Sequence, residues 1–110
     1  MSNNNKVVSL ADHRQEREQA ESRLIGNINR LRGQAAEIGG TNPATPRLQE
    51  IANDYWDYYY NHFYDHGKLP TIRELEKQYE KVMALRELEY NLWCGDPVTV
   101  EEVERYALHV

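Results

Sequence analysis

Four stretches of the chain repeat their apolar residues with the period of an α-helix, and each stretch lies between residues typical of helix ends. These signals predict helices over about 9–38, 46–66, 71–94 and 99–109. No stretch of useful length alternates apolar and polar residues as a strand does. The sequence therefore predicts an all-α fold, in which a long N-terminal helix precedes a compact helical domain over 46–110.

The predicted helix ends also divide the chain into segments. Ser9 is a candidate N-cap, Thr45-Pro46 has the form of an N-cap followed by proline, and Thr71 and Thr99 each stand three residues before a glutamate, as in a capping box. The residues before Ser9, 1–8, are expected to form an unstructured tail. The turn-rich residues 39–45 are expected to link the first helix to the rest.

The first predicted helix has an apolar seam with alternating spacings of four and three residues, as in a short coiled coil. Only about two heptads are apolar, whereas an autonomous coiled coil normally has three or four. Two interpretations follow: the helix lies on the core of its own chain, or it is an arm that pairs with a partner or a second copy. In the second case the dimer contacts would be Leu24, Ile28, Leu31 and Ile38.

The second predicted helix holds seven of the eleven aromatic residues of the chain. Its apolar side covers half of the circumference, so we expect it to pack against at least two other helices. The opposite side carries Asp54 and Asp57, which argue against nucleic acid as the ligand of these aromatic rings. His62 and His66 lie one turn apart, a spacing that can bind zinc, but no third ligand is evident and buried histidines are the preferred interpretation.

The third predicted helix is apolar on two sides in its second half, where three leucines face away from Tyr90 and Trp93. Such a helix lies between other helices or contacts a partner. Tyrosine and tryptophan concentrate in protein interfaces, because they bury a large area and keep a polar end. The candidate protein-binding residues are therefore Tyr55, Trp56, Tyr59, Tyr60, Tyr64, Leu85, Leu88 and Leu92.

Composition narrows the class of protein. The length of 110 residues is that of one small domain, and the net charge of −5 makes this domain acidic. The chain contains eight tyrosines but only one phenylalanine. One cysteine, Cys94, cannot form an internal disulfide, and neither a signal peptide nor an apolar run of membrane length is present, so a cytoplasmic protein is expected. No motif of catalysis, phosphate binding or cofactor binding is recognised, so we expect no enzymatic activity and no cofactor.

Residues Gly67-Lys-Leu-Pro-Thr-Ile-Arg-Glu-Leu75 resemble the start of the helix-turn-helix in GntR-type and LexA-type winged-helix regulators. The resemblance implies a DNA-binding transcriptional regulator, with the basic residues of this region, Arg73, Lys77, Lys81 and Arg86, as the DNA contacts. The chain departs from the family pattern at Glu80-Lys81-Val82, where the family turns into its recognition helix. Because no glycine or proline interrupts 71–93, the two helices of the motif are expected to fuse into one.

The sequence therefore supports two alternative functions. The first is a small helical regulatory protein without enzymatic activity, which binds another protein as a regulator, inhibitor or assembly factor and which also suits the accessory proteins of bacteria and phages. The alternative is a DNA-binding transcriptional regulator with a degenerate helix-turn-helix.

Overall fold

The longest element, α1, spans Ser2–Ala35. The computed structural model describes residues 2–61 and 70–109, with side chains from residue 14 onward. No glycine or proline occurs before Gly26, so nothing in this part of the chain stops a helix once it has formed. The helix therefore begins seven residues before Ser9, and residues 2–8 are helical where the sequence predicted an unstructured tail.

The turn after α1 leads into α2, which is described over Ala44–Tyr60. The N-cap position of α2 is Pro43 rather than the predicted Thr45, and the side-chain oxygen of the preceding Asn42 accepts a hydrogen bond from the Ala44 amide at 2.9 Å. The Asn42 side-chain amide also donates to the Val98 carbonyl at 3.0 Å. This second bond ties the turn to the far end of the chain, which a local sequence pattern does not reveal. The predicted continuation of α2 to residue 66 lies outside the described residues.

The third helix, α3, spans Ile72–Trp93 without a break. The Thr71 hydroxyl oxygen accepts a hydrogen bond from the Glu74 amide at 3.1 Å, as the predicted cap requires. Gly95 follows the helix with a φ of +79°, a left-handed conformation that favours glycine at this position. The expectation of one fused helix over 71–93 is thus confirmed.

The last helix, α4, spans Val100–Glu104 and is shorter than the predicted 99–109. Its cap is the predicted one, because the Thr99 hydroxyl accepts a hydrogen bond from the Glu102 amide at 3.2 Å. The chain then leaves the helix so that the Tyr106 carbonyl accepts a hydrogen bond from the buried Tyr55 phenol at 2.8 Å. This tertiary bond accounts for the early end of α4.

An ion pair also holds α4 against α2. The Arg47 guanidinium donates to the Glu104 carboxylate through two nitrogens and to the Glu50 carboxylate at 3.0 Å. The hydrogen bond from Arg47 holds the pKa of Glu104 below its usual value. The side chains are partly exposed, so the pair orients α4 more than it stabilises the fold.

The helices α2 and α3 both pack against α1. Relative to α1, α2 runs antiparallel and α3 runs parallel. The Gln49 side chain, early in α2, donates to the carbonyl of Ala35 at the end of α1 at 2.9 Å, so α1 and α2 are antiparallel. The Arg86 side chain, late in α3, donates to Asn27, while the start of α3 lies beside the first half of α1. The α1 and α3 helices are therefore parallel.

The core is built around the apolar seam of α1. Leu24, Ile28 and Leu31 are fully buried, and Ile38 is 8% exposed. The seam therefore lies on the core of its own chain, as the first of the two sequence interpretations expects. The four side chains offered as dimer contacts are enclosed by the same chain, because two short apolar heptads find matching apolar sides on α2 and α3.

One carboxylate lies on the buried side of α3. Glu89 is 4% exposed, and its Oε1 atom has no hydrogen-bond partner among the described residues. Burial raises the pKa of Glu89 above its usual value, and the positive charge of Arg86 opposes this shift only in part. The ionised form is therefore destabilised in the folded protein.

We predict that Glu89→Gln stabilises the protein at pH 7 by something on the order of 1 kcal/mol, because it removes a buried and unsatisfied charge. A carboxyl with a raised folded pKa loses stability as the pH rises from its unfolded pKa of about 4.3 through the folded value. The free energy of unfolding in urea should therefore show a larger advantage of Glu89→Gln over the wild type at pH 7 than at pH 4. The exposed neighbour Glu87→Gln is the control, and a Glu89→Gln protein less stable than the wild type at pH 7 would contradict the account.

Candidate functional site

Half of the predicted protein-binding residues belong to the core. Tyr55 and Leu85 are fully buried, Tyr59 is 4% exposed and Leu92 is 8% exposed. The broad apolar side of α2 is covered by α1, α3 and α4 together, which removes these side chains from any partner. They are therefore corrected from binding residues to core residues, whereas Tyr64 lies outside the described residues.

Trp56 and Tyr60 remain accessible beside α1. Tyr60 is 51% exposed and Trp56 is half-buried. Their rings stack with centroids 6.4 Å apart and an angle of 24° between the planes. With Ile25 they form a surface that we call the aromatic patch, at the mouth of a shallow apolar groove of about 90 Å³ whose lining includes Ile28 and Tyr59.

A cation lies over the aromatic patch. The guanidinium carbon of Arg32 lies 5.1 Å from the centroid of the Trp56 ring. A cation–π contact of this kind contributes about 0.5–1 kcal/mol at an exposed site. Together with the stack on Tyr60, this contact favours one orientation of the indole.

The phenols behind the aromatic patch are neutral. Burial raises the pKa of Tyr59 well above its usual value, and the nearby phenols of Tyr58 and Tyr55 raise it further. Burial also raises the pKa of Tyr55. The Tyr58 and Tyr59 rings meet edge to face, with centroids 5.1 Å apart. The patch therefore rests on an uncharged aromatic layer.

Sequence reasoning missed a second pair of exposed aromatic residues, Tyr90 and Trp93, which are 65% and 49% exposed. The pattern had placed both on an apolar side of α3. The observed buried side instead includes Val82, Leu85 and Glu89, midway between the two predicted sides, which leaves Tyr90 outside. A side-chain hydrogen bond with Cys94 raises the pKa of Tyr90. Leu88, predicted for binding, is half-buried against the core.

The four candidate DNA contacts are not brought together. Arg73 and Lys77 are exposed and Lys81 is half-buried, with spacings of four residues along one side of α3. Arg86 lies on another side, where it donates a hydrogen bond to Asn27 of α1. Arg86 is therefore occupied within the fold.

Within the described ranges, no three His, Cys, Asp or Glu side chains gather as a metal site would require. The histidine pair singled out in the sequence, His62 and His66, lies outside those ranges. None of the described helices is both long and apolar enough to cross a membrane.

No protein family, curated protein or solved structure matches the chain. The function proposed below therefore depends on the surfaces alone.

Proposed function

We propose that this chain is a small helical regulatory protein without enzymatic activity, which acts by binding another protein through the aromatic patch. The observation that carries the proposal is the half-exposed stack of Trp56 and Tyr60 beside α1. The other described aromatic residues of α2 are buried or half-buried. The role of regulator, inhibitor or assembly factor is part of the same proposal.

The composition of the patch supports a protein partner. Tryptophan, tyrosine and arginine are the residues that most often dominate the binding energy of protein interfaces. Here Trp56 is stacked on Tyr60 and covered by Arg32, so little side-chain freedom remains to be lost on binding. The groove beside the stack could receive one small apolar side chain of the partner.

The charges around the patch support a protein partner over nucleic acid. Arg32 is accompanied by the exposed carboxylates of Asp54 and Asp57 on the outer side of α2. Aromatic rings that stack on bases normally lie in a basic groove that follows the phosphates. The mixed charges of this surface suit the polar rim of a protein interface.

We predict that Tyr60→Glu abolishes the capture of a specific cellular partner, because it removes the ring that stacks on Trp56 and puts into the patch a carboxylate that loses hydration on binding. The measurement is affinity capture from an extract of the native cell, with quantitative mass spectrometry of the retained proteins. The control is Thr41→Glu, which adds the same negative charge at an exposed residue of the turn between α1 and α2, away from the aromatic patch.

The expected result is at least one protein retained by the wild type and by Thr41→Glu and lost with Tyr60→Glu. Circular dichroism must show the same helical content and melting temperature for all three proteins. If Tyr60→Glu retains every protein that the wild type retains, the aromatic patch is not the binding surface and the proposal is wrong.

The alternative of a DNA-binding regulator is tested by a mobility shift with mixed-sequence duplex DNA at low salt, where non-specific binding is strongest. We predict no shift, because Glu74, Glu76 and Glu80 alternate with the exposed basic residues of α3. A shift that disappears in the Arg73→Ala, Lys77→Ala double variant would contradict this prediction and favour the alternative.

A further inference from the structure

A second surface lies where α1 meets α3. It combines guanidinium groups with aromatic rings, and we call it the arginine–aromatic strip. Its described members are Arg23, Arg30, Tyr79, Arg86, Tyr90 and Trp93.

Contacts between the helices fix the position of Arg86 in this strip. Its guanidinium donates a hydrogen bond to the side-chain oxygen of Asn27, and the Asn27 amide donates to the Arg23 carbonyl at 2.7 Å. Asn27 stands about one turn after Arg23 and one turn before Arg30 on the same side of α1. The Arg86 guanidinium therefore lies between the positions of the other two arginines.

The aromatic residues of the strip also lie along the boundary between α1 and α3. Tyr79 and Arg23 line one open groove of about 240 Å³ at the start of the strip. Because α1 and α3 are parallel, a step of one turn brings Arg30 on α1 level with Tyr90 on α3. Trp93 continues the line by a further turn, and the exposure of these two rings, 65% for Tyr90 and 49% for Trp93, leaves much of their surface open to a partner.

The charge changes sign along the strip. Two glutamates, Glu16 and Glu76, line the groove at its start beside one arginine, Arg23, whereas Arg86 and Arg30 lie further along. A partner segment with carboxylates at one end would bind with that end on the arginines, and so in one orientation only. A partner with uniform negative charge would meet repulsion at the glutamate end.

We infer that the arginine–aromatic strip binds an acidic segment of a protein, which is a second interaction beyond the proposed function of the aromatic patch. The carboxylates of that segment pair with the exposed Arg23 and Arg30, on either side of Arg86, and its apolar side chains lie on Tyr90 and Trp93. The strip contains arginine, tyrosine and tryptophan, which are enriched in protein interfaces, and it contains no lysine, which is depleted there. A nucleic-acid strand is disfavoured, because its phosphates would run past Glu16 and Glu76.

Fluorescence anisotropy tests the inference with three labelled probes: a short peptide of alternating glutamate and leucine, the same peptide with glutamine for glutamate, and oligothymidylate. We expect the glutamate peptide to bind at least tenfold more tightly than the other two, with an affinity that falls as salt is added. The Arg23→Glu, Arg30→Glu double variant should weaken its binding at least tenfold. The control is Arg73→Glu, Arg105→Glu, which makes the same change in net charge at exposed arginines elsewhere and should leave the affinity unchanged.

Tyr90→Ser and Trp93→Ser should each weaken the binding of the glutamate peptide several-fold without changing the helical content of the protein, because the aromatic rings contribute to the affinity. Equal affinity for the glutamate and glutamine peptides would overturn the inference, as would equal effects of the two arginine double variants. Tighter binding of oligothymidylate would replace it with a nucleic-acid surface. None of these outcomes depends on Tyr60, so the strip and the aromatic patch succeed or fail separately.

Discussion

Burial of one stripe of α1 between α2 and α3 is the interaction on which the rest of the molecule depends. Leu24, Ile28, Leu31 and Ala35 are fully buried along it. Complete burial of a leucine or isoleucine side chain contributes about 1.5–3 kcal/mol, and truncation to alanine typically costs about 2–5 kcal/mol. The helices α2 and α3 contact each other far less than either contacts α1, so loss of this stripe would separate all three long helices.

The same stripe also sets where the candidate binding surfaces lie. With one side of α1 turned to the core, its two flanks face outward next to α2 and next to α3. The aromatic patch lies along the first flank and the arginine–aromatic strip along the second. Both surfaces consist of residues on rigid helices whose relative positions are fixed by the core, which favours binding with little loss of conformational freedom.

The sequence was informative wherever the deciding interaction is local. The caps at Thr71 and Thr99 and the unbroken α3 follow from residues within one turn of each other, and the structure contains them as predicted. The position of the broad apolar side of α2 was also predictable from helical periodicity. How much of that side would stay exposed was not, because this depends on how closely α1 and α4 approach it.

Other features depend on distant parts of the chain and were missed for that reason. Asn42 accepts a hydrogen bond from the Ala44 amide at the start of α2 while it donates to the Val98 carbonyl, and the Tyr106 carbonyl after α4 accepts a hydrogen bond from Tyr55. The burial of Glu89 and the exposure of Tyr90 arise together, since both follow from the direction in which α3 turns toward its neighbours. Periodicity indicated two apolar sides of α3, and the packed structure buries the sector that lies between them.

The central claim is that the α1 stripe is buried by its own chain and not by a second copy. Hydrogen exchange of the α1 backbone amides, followed by mass spectrometry at two protein concentrations a hundredfold apart, tests it most directly. We expect residues 24–35 to exchange among the slowest in the protein, at rates that do not change on dilution. Faster exchange of these amides in the dilute sample would show that the stripe is buried by association and would contradict the account.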